Sequence, residues 1–212
     1  GASQVTAYPL FTFPYTSVGR YRRLKEVRLP DFRARRAQYR AACRWSARRG
    51  FERVSVWGFT QDGAPRSSSV TRDRYIGIGP GAGSHLPGGF AFNSFDYATW
   101  ARTAAAGDST VALWMPFSTA LAGWWWLYWR LYDTRIPLDQ LGDTLGRDAR
   151  WVRSGLRVGE LAGLASTRNG MATLTDAGAF WLHLAQNYFA LDSVNTLWTA
   201  ARRQPWPEAV PL

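Results

Sequence analysis

The chain has 212 residues, 46% of them hydrophobic, which is enough apolar material to bury a substantial core and excludes a mainly disordered protein. Lysine and arginine total 26 against 15 aspartate and glutamate, and the net charge of +11 favours an anionic partner such as nucleic acid, anionic lipid or a small polycarboxylate. Cys43 is the only cysteine, which excludes an internal disulfide and a zinc or iron–sulfur site built from thiolates of this chain. His85 and His183 are the only histidines, and neither has partners at metal-ligand spacing, which argues against a His-rich metal site.

The first third of the chain alternates strand, helix and strand. Residues 5–11 predict a strand. Strand-like sequence therefore begins almost at once, after a start without methionine, and this suggests that the sequence begins part-way through a fold. Pro30-Asp31 predicts a helix start with Asp31 as N-cap, and an apolar stripe continues that helix to Gly50. Residues 54–57 then alternate as a strand. This β-α-β layout predicts a parallel sheet or part of a barrel.

A glycine-rich loop follows the next apolar run. Tyr75 to Gly79 predicts a final buried strand that leads into the loop Pro80 to Gly83. Its glycines would let a ligand approach the backbone closely, because they remove the Cβ atom and expose N–H groups. No Lys-Ser/Thr pair follows, so this is not a nucleotide-binding phosphate loop. A tight exit from a barrel strand explains the glycines equally well.

The middle of the chain holds a long uncharged segment. A helix is predicted over residues 94–106, capped by Ser94 and stopped at Gly107. From Ser109 to Trp129 no residue is charged, and tryptophans crowd one end as they do at a membrane interface. Proline, glycine and polar residues interrupt this segment, which favours a buried or substrate-facing helix over a membrane span.

The last third is predicted to be mainly helical. Leu138, Leu141 and Leu145 are assigned to one helix and residues 151–161 to a second. Asn169-Gly170 predicts a type I′ hairpin, and Thr175-Asp176 begins a last helix. The order helix, helix, hairpin, helix is winged-helix-like.

Positive charge is concentrated early in the sequence, where 13 of the 26 basic residues fall between Arg20 and Arg53. One predicted helix carries a basic ridge at helical spacing, formed by Arg33, Arg36, Arg40 and Arg44. The ridge would receive phosphates or the acidic surface of a partner. A solvated outer helix is the alternative, because the opposite face is apolar. No nucleophile elbow, Cys/His pair or close carboxylate pair is found, which leaves hydrolytic chemistry without candidates.

Several of these segments resemble the carboxyl-terminal half of the radical S-adenosylmethionine proteins related to oxygen-independent coproporphyrinogen III oxidase and the haem chaperone. The most specific match is Arg74 to Ser84, which is similar to the family's Tyr-hydrophobic-Gly-hydrophobic-Gly-x-Gly-Ala-x-Ser element. Shorter matches occur at residues 4–10, at residues 47–52 leading to 56–59, at Asn93 with residues 95–97, and at residues 174–181. Residues 67–72 depart from the family, since many members have an Asn-x-x-Tyr-Trp stretch there.

The resemblance implies an α/β fold in two parts. Residues 1–107 would form the carboxyl-terminal part of a partial (β/α) barrel, and residues 108–212 a small helical, winged-helix-like domain that packs over the active site. The family's Cys-x-x-x-Cys-x-x-Cys loop, which holds a [4Fe–4S] cluster, belongs to the amino-terminal half of the barrel and is not present in this sequence. The implied partner is therefore that missing half, in the same or a separate chain, and this chain alone would be inert.

The resemblance also implies which residues bind. The S-adenosylmethionine cavity would be lined by the side chain of Tyr8 and by the backbone of Gly79, Gly81, Ala82 and Gly83. The propionates of an anionic tetrapyrrole would meet Arg20, Arg22 and Arg23, because guanidinium groups bind carboxylates bidentately. The Trp-rich segment 124–129 would pack on the macrocycle. The implied protein is cytoplasmic and without a membrane span.

A non-enzymatic nucleic-acid binder is the alternative from another functional class. It would use the winged-helix-like end of the chain, where several basic residues lie on or near the middle helix: Arg147, Arg150, Arg153 and Arg157.

Overall fold

The computed structural model describes residues 1–9, 29–64, 73–186 and 188. They combine helices with short strands, which confirms the mixed α/β content expected from the sequence. The chain divides into two compact units, one within Gly1–Ser67 and Arg130–Gln186, the other within Ser68–Trp129 and Asn187–Leu212. These units are discontinuous in sequence, and the assignment of residues 1–107 and 108–212 to two family domains stays a prediction.

The first unit begins with a three-stranded sheet and one long helix. In chain order these are β1 (Gln4–Thr6), α1 (Phe32–Ala47), β2 (Phe51–Arg53) and β3 (Gly58–Gln61). The strand order is β1-β3-β2, and both pairs are antiparallel, with Val5 opposite Phe59 and Glu52 opposite Thr60. The predicted first strand is confirmed only in part, because residues 7–9 lie beyond β1 and residues 10 and 11 are outside the described residues.

The start of α1 follows the sequence prediction. The Asp31 side chain accepts a hydrogen bond from the Ala34 N–H at 2.8 Å, which satisfies one of the unpaired N–H groups of the first turn. After the helix ends, Gly50 has φ of +73°, a conformation that favours glycine. The inward face of α1 buries Tyr39 and Cys43 against a core that includes Trp57.

The strand predicted at residues 54–57 is wrong. These residues connect β2 to β3, and the Ser55 hydroxyl accepts a hydrogen bond from the Gly58 N–H at 3.0 Å to close the turn. Val56 and Trp57 are buried, so their apolar character reflects a connection that crosses the core. A connection this short makes a hairpin, and a parallel crossover needs a longer one. Every strand pair among the described residues is antiparallel, so the predicted parallel sheet is wrong there.

The second unit contains an antiparallel sheet and a helix. Its elements are β4 (Gly83–Leu86), β5 (Gly89–Asn93), α2 (Tyr97–Ala105), β6 (Val111–Pro116) and the first part of α3 (Thr119–Tyr132). The strand order is β4-β5-β6. The N-cap of α2 is Asp96 instead of the predicted Ser94, because the Asp96 carboxylate accepts from the Thr99 N–H at 2.8 Å. Gly107, with φ of +76°, ends the helix as predicted.

The long uncharged segment is not one helix. Residues 111–116 form β6 and α3 begins only at Thr119, because Pro116 interrupts any helix and β6 pairs with β5 along its length. Among the described residues, no helix has both the length and the apolar character needed to cross a membrane.

The remaining elements belong to the first unit. They are β7 (Arg135–Pro137), α4 (Leu141–Leu145), α5 (Ala149–Leu161), β8 (Ala165–Arg168), β9 (Met171–Leu174) and α6, which covers residues 176–186. The sheet order is β7-β9-β8. Leu138 lies before α4, so its assignment to that helix is wrong. Asn169 and Gly170 have φ of +49° and +75°, as a type I′ turn requires, which confirms the predicted hairpin.

Candidate functional site

The glycine-rich loop, residues 77–83, is the candidate site that the structure describes most fully. Gly79 and Gly81 have φ of +110° and +67°, so the loop needs glycine at both positions. The Gly81 N–H donates to the Ser94 carbonyl at 2.9 Å, and the Asn93 N–H donates to the Ala82 carbonyl at 3.0 Å. The loop is therefore fixed to the end of β5.

The side chain of Asn93 fixes the loop through hydrogen bonds. Its side chain is buried, with 6% of the residue exposed, and its amide nitrogen donates to the carbonyls of Gly77 and Gly79 at 3.2 and 2.9 Å. The amide oxygen accepts from the Thr110 hydroxyl at 3.1 Å. The resemblance singled out Asn93, whereas Thr110 carried no signal in the sequence, since its partner lies 17 positions away.

Two of the glycines serve close packing. A Cβ atom on Gly77 would meet the Gly83 carbonyl oxygen, and one on Gly83 would lie 2.7 Å from the Phe90 ring. The Gly77 N–H donates to the Ser84 hydroxyl at 3.0 Å. The N–H groups of Gly77, Gly81 and Ala82 are all bonded within the protein, so these three are not directed at an anion.

The outward side of the loop is apolar and open. The buried strand predicted at Tyr75 to Gly79 is wrong, because Ile76 and Ile78 are 76% and 90% exposed and only Tyr75 pairs, through one bridge to His85. A Cβ atom on Gly79 would meet no atom within 4 Å. The Asn93 side chain donates hydrogen bonds to two carbonyls of this segment, which in a sheet would accept from a neighbouring strand. The side chains of Ile76 and Ile78 and the backbone of Gly79 are therefore each accessible to a ligand.

Tyr8 lies in the first unit, two residues after the end of β1, and is 59% exposed. The N–H of the preceding residue, Ala7, donates to the Trp57 carbonyl at 3.0 Å, which holds the chain at the edge of β3. The predicted glycine residues come together in one loop of the second unit, and Tyr8 belongs to the other unit. Arg20, Arg22 and Arg23 are outside the described residues.

The Trp-rich segment, residues 124–129, lies on α3, and Trp125 and Trp129 pack against other aromatic rings of the protein. The Trp125 ring lies 5.1 Å from Phe90 and 5.2 Å from Phe117, centroid to centroid. Trp129 contacts Trp125 edge-on at 5.9 Å. Trp124 is exposed and remains available to a planar ligand.

Cys43 and His183 lie in the core of the first unit. Burial raises the pKa of the Cys43 thiol to about 11, so the thiol stays protonated near neutral pH. Burial, with Arg35 nearby, lowers the pKa of His183 to about 4, and its neutral Nδ1 accepts a hydrogen bond from Trp57 Nε1 at 3.1 Å. Among the described residues no group of His, Cys, Asp and Glu side chains is arranged to hold a metal ion.

No protein-family model and no curated protein matches this sequence. The fold, however, is similar to that of a radical S-adenosylmethionine enzyme, as the sequence resemblance predicts. That enzyme is the coproporphyrinogen III oxidase HemN from Escherichia coli, which superposes with a TM-score of 0.60 at 10% sequence identity. The match covers 86% of this chain and 46% of HemN, so the chain spans about half the length of that enzyme.

Proposed function

We propose that the chain is the carboxyl-terminal part of a radical S-adenosylmethionine enzyme that acts on, or chaperones, a tetrapyrrole in the cytoplasm. The observation that carries the proposal is the likeness to HemN, a coproporphyrinogen III oxidase, over 86% of this chain. The sequence resemblance centred on residues 74–84 supports the same family independently. Because the match spans 46% of HemN, we assign the remaining function to an amino-terminal barrel half in the same or a separate chain.

Two domains follow from this proposal. We assign residues 1–107 to the late part of the family's partial barrel, from which the antiparallel pairing of their described strands is a departure, and residues 108–212 to a winged-helix-like domain. The succession of α4, α5, the β8–β9 hairpin and α6 supports the second assignment, since it repeats the helix, helix, hairpin, helix order of a winged helix.

The residues of this chain do not fit a [4Fe–4S] cluster. Cluster ligands are thiolates, whereas Cys43 is 7% exposed, has a pKa of about 11 and is the only cysteine in the sequence. In the proposed enzyme the other half supplies the cluster, and the present chain is inert by itself. No chemical step is assigned to Cys43.

The glycine-rich loop fits part of S-adenosylmethionine. Ile78 and Gly79 of the loop, and Ile76 just before it, are exposed or uncovered, and such groups suit contact with an apolar or planar part of a ligand. We assign the wall of the cofactor cavity to the Tyr8 side chain and to the backbone of Gly79, Gly81, Ala82 and Gly83. S-adenosylmethionine, when bound with the cluster, would supply the radical that abstracts hydrogen.

Arg20, Arg22 and Arg23 are assigned to the propionates of the tetrapyrrole. The test is a spectroscopic titration of the 212-residue chain with coproporphyrin III, comparing the protein with its Arg20→Ala/Arg22→Ala variant. We expect the porphyrin absorption to shift with the parent protein and the affinity to fall at least tenfold in the variant. The matched control, Arg147→Ala/Arg150→Ala, removes the same charge and keeps the affinity.

The same experiment tests the alternative, nucleic-acid binding through α5. Arg150 and Arg157 are exposed on this helix, whereas Arg153 donates to the Leu138 carbonyl at 3.2 Å and has a structural role. If the parent protein gives no optical shift with porphyrin but binds duplex DNA with a steep salt dependence that Arg147→Ala/Arg150→Ala abolishes, the tetrapyrrole proposal is wrong and the alternative holds.

A further inference from the structure

A continuous stripe of arginines runs along the outside of α1. The stripe consists of Arg33, Arg36, Arg40, Arg44 and Arg48, and all of these residues are exposed. Steps of three or four residues keep the side chains on one face of a helix. At 1.5 Å of rise per residue, the stripe extends over about 22 Å.

The charge of the stripe is not compensated locally. Residues 32–49 include no aspartate or glutamate. Within the described part of the chain, the two ion pairs join Arg53 to Asp176 and Arg130 to Asp133, and neither involves the stripe. Like charges at i and i+4 destabilise a helix, and here they repeat at 36/40, 40/44 and 44/48. An anionic partner that neutralises the stripe would relieve this repulsion.

The chemistry of the stripe favours nucleic acid over a lipid surface or a protein. The apolar face of α1 is already buried through Tyr39 and Cys43. Its two exposed large apolar side chains, Phe32 and Trp45, lie near opposite ends of the helix, and the Arg49 guanidinium lies over the Trp45 ring at 4.3 Å, so the helix has no continuous apolar face to insert into a membrane. Between the arginines the stripe offers only small side chains such as Ala37 and Ala41, whereas a protein interface needs an apolar core. Evenly spaced guanidinium groups suit a row of phosphates.

We propose that the stripe on α1 binds the phosphodiester backbone of nucleic acid without reading bases. This activity goes beyond the tetrapyrrole function and does not depend on it. The surface also differs from the α5 surface that the alternative function would use.

The test is fluorescence anisotropy with labelled probes of about 20 nucleotides over a salt series from about 50 to about 200 mM. Single-stranded DNA, duplex DNA and single-stranded RNA form three arms, which identify the form of the backbone that is preferred. For each phosphate that the protein no longer neutralises, the slope of log K against log salt changes by about 0.7 for a single strand and about 0.9 for a duplex. We expect Arg36→Gln/Arg40→Gln/Arg44→Gln to reduce the slope by about 2 to 3 and the affinity at low salt at least tenfold.

A matched control separates the stripe from net charge. Arg102→Gln/Arg135→Gln/Arg168→Gln removes the same number of charges from exposed positions outside α1 and α5 and should change the affinity less than threefold. Circular dichroism checks that both variants keep the helix content of the parent. The proposal is overturned if the parent protein does not bind any probe at the lowest salt concentration, if the control weakens binding as much as the stripe variant, or if polyglutamate of equal charge competes as well as unlabelled DNA.

Discussion

Protonation of a single buried residue, His183, makes the stability of the first unit depend on pH. Its ring lies 4.8 Å from Trp57, edge-on, and accepts the indole N–H, so the fold requires the neutral imidazole. Burial lowers its pKa from 6.5 in a model peptide to about 4. A proton added below pH 6.5 therefore binds the unfolded chain more readily than the folded chain.

The contribution of His183 to the free energy of unfolding should be constant above pH 6.5 and should decrease as the pH is lowered from 6.5 to 4. One pKa unit corresponds to about 1.4 kcal/mol, so the loss is at most about 3 kcal/mol. Urea denaturation followed by tryptophan fluorescence at about pH 7, 5.5 and 4.5 measures it. In His183→Gln this part of the pH dependence should disappear, and an unchanged pH profile in that variant would contradict the assignment.

The packing glycines of the candidate site make a second prediction. In Gly77→Ala the new methyl group would lie against the Gly83 carbonyl and 2.9 Å from the Ala82 Cβ. We expect a loss of about 1–3 kcal/mol in the free energy of unfolding, because overpacking forces the backbone to move. Gly155→Ala is the control, since a Cβ there meets no atom within 4 Å and alanine gains about 0.8–1 kcal/mol over glycine inside a helix. Equal effects in the two variants would be incompatible with close packing at Gly77.

At the scale of elements, local chemistry explains most of what is predictable. Asp31 accepts an N–H bond at the start of α1, and Asn169-Gly170 adopts the left-handed turn that the pair favours. Each signal depends on residues within a few positions, so it can be read from the sequence. The segments 54–57 and 75–79 depend on partners far along the chain, and there the apolar pattern predicted strands that do not form.

The start of α6 supplies a prediction at this scale. The Thr175 hydroxyl accepts from the Gly178 N–H at 3.1 Å and donates to the Gly163 carbonyl at 2.9 Å, which joins the helix to the end of α5. Thr175→Ala should lower the free energy of unfolding by about 1–2 kcal/mol, since both bonds are removed. Thr175→Ser keeps the hydroxyl and should stay within about 0.5 kcal/mol of the parent. Thermal melts compare the three proteins, and equal losses in both variants would show that the hydroxyl is not the cause.

At the scale of the whole molecule, cysteine usage limits what the 212-residue chain does alone. Anaerobic reconstitution with iron and sulfide should give no stoichiometric [4Fe–4S] absorption, because the sequence has one cysteine and its thiol is buried and protonated. In parallel, a thiol reagent should modify Cys43 slowly in native buffer and rapidly in denaturant. A full cluster spectrum from the chain alone would refute the assignment of the cluster to another half.

The sequence by itself determined the charge of the α1 stripe, the shortage of metal ligands, the starts of α1 and α6 and the I′ hairpin, because composition and short-range hydrogen bonding depend only on neighbouring residues. The resemblance to a coproporphyrinogen oxidase also came from short motifs, and the fold likeness supports it. Only the tertiary structure decided that the strands pair antiparallel, that Asn93 holds the carbonyls of Gly77 and Gly79, and that His183 is neutral in the core. These features depend on residues brought together from distant positions, and their burial sets both the packing around the glycines and the pKa of the histidine.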